Sequence, residues 1–353
     1  MRANRIRWFL VFLLVGAAFQ LPAQQSEADR KLLATVRAKA EKEDAESQYE
    51  LGNAFSDGSL GVAKDYAEAV NWWRKAAEHN NVKAQVNLGF SYATGTGVAK
   101  DEVEAMKWYR KAAEQNDPKA QSKLGYCYFY GAGVAKDKAE GVKWYRKAAE
   151  QNHAAAQDLL GYYYADGQGV AKDEVEAVKW WVKAAEQNDA DAQNNLGACY
   201  ANGQGVAKDE VEAVRWLRKA AEQNYANAQY NLGYCYANSR GVVKDYVEAY
   251  KWILLAAGQG NEIAKEATPG LEAVMTREQI AEGQKQARNF KPRELPTAGA
   301  ERSAASIAQT RPESSGTGFF ITEDGYLIPM NMWPVAGRRC GWSLRLESSP
   351  PRS

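Results

Sequence analysis

Two apolar stripes alternate along the chain. In Ala84-Gln85-Val86-Asn87-Leu88-Gly89-Phe90-Ser91-Tyr92, residues Ala84, Leu88 and Tyr92 fall at i, i+4 and i+8, one face of a helix. Ala105, Trp108, Ala112 and Ala113 mark a second helix that packs back on the first. Gly95 and Gly97 stop the first helix and turn the chain. The second helix opens at Asp101 with Glu104 three residues on. That pair offers a side-chain oxygen to orphan N–H groups and a carboxylate to the positive end of the helix dipole. Asn116 suits a left-handed residue past the helix end, and Asp117-Pro118 supplies the next N-cap and first turn. Gly89 inside the first helix costs about 1 kcal/mol relative to Ala. Its placement predicts a close neighbouring helix.

The helix pair repeats. Lys-Asp stands at Lys64-Asp65, Lys100-Asp101, Lys136-Asp137, Lys172-Asp173, Lys208-Asp209 and Lys244-Asp245, in steps of 36 residues. Trp72, Trp108, Trp144, Trp180, Trp216 and Trp252 keep the same spacing. Leu51-Gly52 falls one residue early because the loop after it, Asp57 to Gly61, is one residue longer than its successors. A fixed period in the range of about 20–50 residues means stacked supersecondary units. The expected fold is therefore all-α: six helix-turn-helix repeats over 47–262, with a capping helix in 24–46 and further capping helices in 263–290. Glu27 to Glu46 reads as one charged helix. Ile263 to Ala267 reads as a seventh first helix that breaks at Pro269-Gly270, and Thr276 to Gln279 opens a last helix ending near Phe290.

The run Ala-Gln-x-x-Leu-Gly-x-x-Tyr, then Gly-x-Gly-Val-x-Lys-Asp, then Glu-Ala-x-x-Trp-x-x-Lys-Ala-Ala-Glu resembles the Sel1-like repeat, a relative of the tetratricopeptide repeat. The resemblance covers Ser47 to about Asn261. It implies a right-handed α-solenoid that presents a concave surface to protein partners, and it names no particular partner.

Composition narrows the chemistry. The 353 residues are 45% hydrophobic and 25% charged, which suits a soluble globular chain and excludes a polytopic membrane protein. Lys and Arg number 45 against 44 Asp and Glu, so no basic surplus points to nucleic acid. Two histidines, His79 and His153, exclude an all-histidine metal site, and both fall at turns between repeats. No cofactor or metal is expected, and the repeats carry no nucleophile–base pair. Cys127, Cys199 and Cys235 occupy one repeat position. Equivalent positions of adjacent repeats lie beyond the Cα limit of about 7 Å for a disulfide, so these cysteines read as small core residues. The six tryptophans of the column read as structural core.

Positions that vary between repeats are the candidates for binding, because packing does not dictate them. On the first helices these are Asn87, Lys123, Leu159, Asn195 and Asn231, with Phe90, Tyr126, Tyr162 and Tyr234 after the glycine. Asn87, Phe90, Tyr126, Tyr162, Asn195, Asn231 and Tyr234 form the candidate concave face for an extended peptide, held by stacking and backbone hydrogen bonds. The competing expectation is that the tyrosines pack on the next repeat.

Both ends read differently from the middle. Arg2, Arg5 and Arg7 precede an apolar run from Trp8 to Phe19 and Leu21-Pro22-Ala23-Gln24, the pattern of a cleaved secretory signal peptide over 1–23. The protein is thus expected to be exported, periplasmic or secreted, touching membrane only during export. Residues 291–314 read as a linker. Residues 315–328 carry two apolar runs around Asp324-Gly325, the mark of a β-hairpin. The segment resembles the opening of trypsin-like, HtrA-type serine peptidases, where Gly-x-Gly-Phe and Asp-Gly-Tyr lead to Thr-Asn-x-His-Val and the catalytic His. Here Pro329-Met330-Asn331-Met332-Trp333-Pro334 follows. Restoring one base after the Ile328 codon lets the same bases read Thr-Asn-Glu-His-Val-Ala. Residues 329–353 therefore read as an out-of-frame, unstructured tail. As written the chain holds no counterpart of the catalytic His, Asp or Ser. The expected function is an exported protein-interaction scaffold; the alternative is the recruiting or regulatory part of a serine endopeptidase truncated by a frameshift after Ile328.

Overall fold

The computed structural model describes residues 26–293, together with 319–321 and 327–329. The chain divides into two compact units, one up to Asn81 and one from Val82.

The first unit holds α1 (Glu27–Ala40), α2 (Ala45–Asp57) and α3 (Tyr66–Glu78). Val36 and Ala40 of α1 close over Leu51 of α2, with Leu33, Phe55 and Trp72 around them. The expectation of one helix from Glu27 to Glu46 is corrected. Glu43 is left-handed at φ 66° and Asp44 N-caps α2 by accepting from Ser47 N at 2.9 Å. This is the same turn that Asn116-Asp117 makes further on, with Glu43 in the asparagine's place.

In the second unit the pairs are α4 (Val82–Thr94) with α5 (Glu102–Glu114), α6 (Pro118–Tyr130) with α7 (Lys138–Glu150), and α8 (Ala154–Asp166) with α9 (Glu174–Glu186). Then come α10 (Ala190–Asn202) with α11 (Glu210–Glu222), and α12 (Ala226–Ala237) with α13 (Tyr246–Gly258). Together the repeats form an all-α solenoid. Asp101, Asp137, Asp173, Asp209 and Asp245 N-cap the second helices. Asn116, Asn152, Asn188 and Asn224 are left-handed, with φ of 67°, 64°, 66° and 68°.

The helical glycine is a socket. A Cβ on Gly161 would lie 2.7 Å from the Trp181 ring, so the residue after the column tryptophan fills the space a side chain would take. The second loop glycine has another task. A Cβ on Gly133 would lie 2.1 Å from the Glu102 carbonyl, so that loop rests on the second helix of the preceding repeat.

The column tryptophans join consecutive repeats. Trp180 packs with Val142 and Tyr145 of the repeat before it, Trp216 with Val178 and Trp181, and Trp252 with Val214 and Leu217. Trp108, Trp180, Trp216 and Trp252 are buried; Trp72 and Trp144 are half-buried.

After the sixth pair, α14 (Glu262–Glu272) runs through Pro269. The expected break there is corrected. Proline in a helix costs about 3 kcal/mol, but Ala264 and Leu271 on either side of it are buried against α13, and their burial outweighs the lost bond. Next, α15 (Arg277–Asn289) opens with a full capping box between Thr276 and Gln279. Phe290 then lies edge-on to Trp252, and Arg293 N donates to Glu222 O at 2.8 Å. Strand β1 (Phe319–Ile321) pairs antiparallel with β2 (Leu327–Pro329), Phe320 opposite Ile328. The signal segment 1–23 and the tail from 330 lie outside the described residues.

Candidate functional site

The first helices of successive repeats lie side by side, and polar residues on them form a seam. Asn195 Nδ2 donates to Asp158 Oδ1 at 3.1 Å, from α10 to α8. Asn231 Nδ2 donates to Asn194 Oδ1 at 2.9 Å, from α12 to α10. Tyr225 donates its hydroxyl to Asp191, and Asn261 Nδ2 donates to Asn227 Oδ1 at 3.0 Å. Burial pushes the Asp158 carboxyl well above the usual aspartate range, with Asp189 and Asp191 adding repulsion. The residue as a whole is half-buried; its carboxylate is enclosed by Asn195 and the Trp181 indole. Asp191 is also raised by burial, and the Tyr225 hydrogen bond opposes that shift.

This seam divides the candidate concave residues. Asn195 and Asn231 commit an N–H to the neighbouring helix, and Tyr234 is buried. Asn87, Phe90, Tyr126 and Tyr162 stay half-buried. The Tyr126 ring lies 4.7 Å from that of Tyr130, and burial pushes the Tyr126 hydroxyl up to about 12. Tyr162 meets Tyr163 edge-on at 5.8 Å and accepts from Gln168 Nε2 at 3.4 Å. Tyr126, Tyr130 and Tyr162 border one cluster built on Tyr145, Leu160 and Tyr163. The structure thus gathers Tyr126 and Tyr162 and assigns the asparagines to packing between helices.

A second set of residues was not singled out from the sequence. Gln85, Gln121, Gln157, Gln193 and Gln229 are buried. Gln157 Nε2 donates to Ala149 O at 3.0 Å, an orphan carbonyl at the end of α7. Gln187 Nε2 donates in turn to Gln157 Oε1 at 2.7 Å. The same amide ladder recurs at Gln121 and Gln151, and at Gln193 and Gln223. The signal was the Ala-Gln pair at the head of every first helix. In the first unit His79 stands where later repeats have this glutamine, with Nδ1 3.3 Å from Gln48 Oε1. His153 N-caps α8.

Cys127, Cys199 and Cys235 are buried thiols, and burial pushes Cys127 and Cys235 up to about 12. Among the described residues no group of three or more His, Cys, Asp or Glu is placed to hold a metal ion. No helix among them is long and apolar enough to cross a membrane.

Comparison with known proteins agrees with this geometry. The Sel1 repeat profile matches residues 45–81, 82–117, 118–153, 154–189, 190–225 and 226–261. No curated protein matches the chain. Among solved structures, a Sel1 repeat protein from Oxalobacter formigenes is similar at 40% identity, over 66% of this chain and 95% of that one, with a TM-score of 0.61. A protective antigen of uropathogenic Escherichia coli, c5321, is similar at 29% identity over 74% of this chain and 72% of that one, with a TM-score of 0.34. Six consecutive matches over most of the described chain, and a 40% identical relative of the same build, make this protein a member of the Sel1 repeat family, a protein-interaction scaffold.

Proposed function

We propose that the protein is an exported scaffold that holds an extended peptide against its first-helix face, the concave side of a right-handed solenoid. The observation that carries this reading is the half-buried aromatic pair Tyr126 and Tyr162, at the edge of the core while neighbouring polar groups are engaged in the seam. Tyrosine supplies large contact area at low entropy cost, which suits peptide binding. The probe is a displayed library of random 12-residue peptides selected on the full chain. Selected peptides should lose about tenfold in affinity on Tyr126→Ala and Tyr162→Ala, with the melting temperature lowered by only a few degrees. Undiminished binding by both variants would exclude this face.

The export part of the proposal rests on the charged and apolar pattern of residues 1–23. Alkaline phosphatase fused after Glu46 should be active in cells only if that segment directs export.

A second reading is favoured by one further observation, the base string across Ile328 to Pro334 that rebuilds a peptidase motif when one base is restored. On this reading the repeats recruit substrates for, or regulate, a serine endopeptidase. The paired strands β1 and β2 suit the hairpin that would open such a domain. Resequencing the gene there, followed by a casein hydrolysis assay on the frame-restored product, decides between the two.

A further inference from the structure

The second helices of the second unit carry cations of two kinds. Lys107, Lys143, Lys179 and Arg215 pair with the glutamate three residues earlier, at 2.9–3.2 Å. Lys111, Lys147, Lys183 and Lys219 have no carboxylate within 4.0 Å among the described residues. Their ammonium groups stand instead over the rings of Trp108, Trp144, Trp180 and Trp216, at 4.1, 3.8, 4.1 and 3.9 Å. Beside them Arg110, Arg146 and Arg218 donate to the hydroxyls of Tyr128, Tyr164 and Tyr236 on the next repeat's first helix. A ring holds a cation in place without neutralising it. Each repeat therefore presents a lysine that keeps its full charge and has already given up much of its freedom, which lowers the entropy cost of meeting an anion.

The spacing of these lysines follows from the packing. Trp180 shares a core with Val142 of α7, and Trp216 with Val178 of α9, so consecutive second helices touch. Touching helices lie about 8–10 Å apart. An extended or polyproline-II chain rises about 3.1–3.4 Å per residue, so every third residue comes opposite the next lysine. We propose that this face binds an extended acidic polypeptide bearing a carboxylate at every third residue, one each for Lys111, Lys147, Lys183 and Lys219. Duplex nucleic acid is a poorer match. Its charges come about every 1.7 Å along the axis, whereas Glu114, Glu150, Glu186 and Glu222 end the same helices just beyond the lysines and would repel a dense polyanion. This surface lies on the helix layer opposite the tyrosine face and stands whether or not that face binds peptide.

The test titrates the full chain with two synthetic 15-residue peptides of equal composition, one with Glu at every third position and one with its Glu residues clustered, by calorimetry and tryptophan fluorescence. The spaced peptide should bind about tenfold more tightly. The quadruple Lys→Met variant at positions 111, 147, 183 and 219 keeps an apolar stem over each indole. It should lose about tenfold in affinity for the spaced peptide, as four exposed ion contacts would predict, with an unchanged melting curve. Should that variant not fold, the comparison of the two peptides on the unaltered chain decides alone. No binding, equal binding of the two peptides, or tighter binding of a 15-base-pair duplex would overturn the proposal.

Discussion

Two seams join the same repeats, and they are built from opposite materials. Between second helices the join is apolar and repeated: a tryptophan enters the core of the preceding repeat, and a glycine on the facing first helix makes room for the residue after it. Between first helices the join is polar and varied: Asp158 to Asn195, Asn194 to Asn231, Asp191 to Tyr225. Burying an indole depends on shape, which every repeat must reproduce to stack on the next. Hydrogen bonds across the first-helix seam need only one donor and one acceptor at each step, so composition is free to drift there. The varied seam is also where the buried carboxyls sit, which makes it sensitive to pH.

This contrast can be broken most forcefully at the tryptophans. Trp180→Ala removes a buried side chain from the core it shares with Val142 and Tyr145 and should cost about 3–5 kcal/mol in urea unfolding. A loss below 1 kcal/mol would mean that the tryptophan seam is not the main join. Gln157→Ala comes next. It strands the Ala149 carbonyl and removes the acceptor of the Gln187 amide, and should cost about 1–3 kcal/mol.

The smallest effect sharpens the polar side. The folded Asp158 carboxyl titrates above its ordinary 3.8, so between that pH and its raised value the folded state binds more protons than the unfolded one. Stability must therefore fall as pH rises through this window, and the contribution is full only below it. Asp158→Asn keeps a hydrogen-bonding group opposite Asn195 and removes the titration. The variant should be the more stable protein at pH 7 and show a flatter pH profile above pH 4. A profile identical to that of the unaltered chain would place the titrating group elsewhere.

Much of the fold was legible because the repeat writes the same physics six times. Aspartate N-caps, left-handed asparagines and buried leucines fell where helix ends and periodicity put them. The two misreadings arose where that periodicity lapses. A helix to Glu46 overlooked that Glu43-Asp44 forms the inter-repeat turn without its asparagine, and a break at Pro269 underrated the burial of Leu271. The candidate site was less legible. Asn195, Asn231 and Tyr234 vary between repeats, as binding residues do, yet varied residues also meet one another across a seam, and a single sequence does not tell which neighbour each will meet.

The sequence by itself determined the helices, their caps and turns, and the 36-residue period, because each depends on residues only a few positions apart. Tertiary structure alone decided that Ala-Gln is an amide ladder, that the residue after each tryptophan fills the glycine socket, and that Asp158 is enclosed beside Asp191. Those facts join residues some 20 to 37 positions apart on neighbouring helices. Burial, which sets both the worth of a hydrogen bond and the charge of a carboxyl, exists only once the helices have packed.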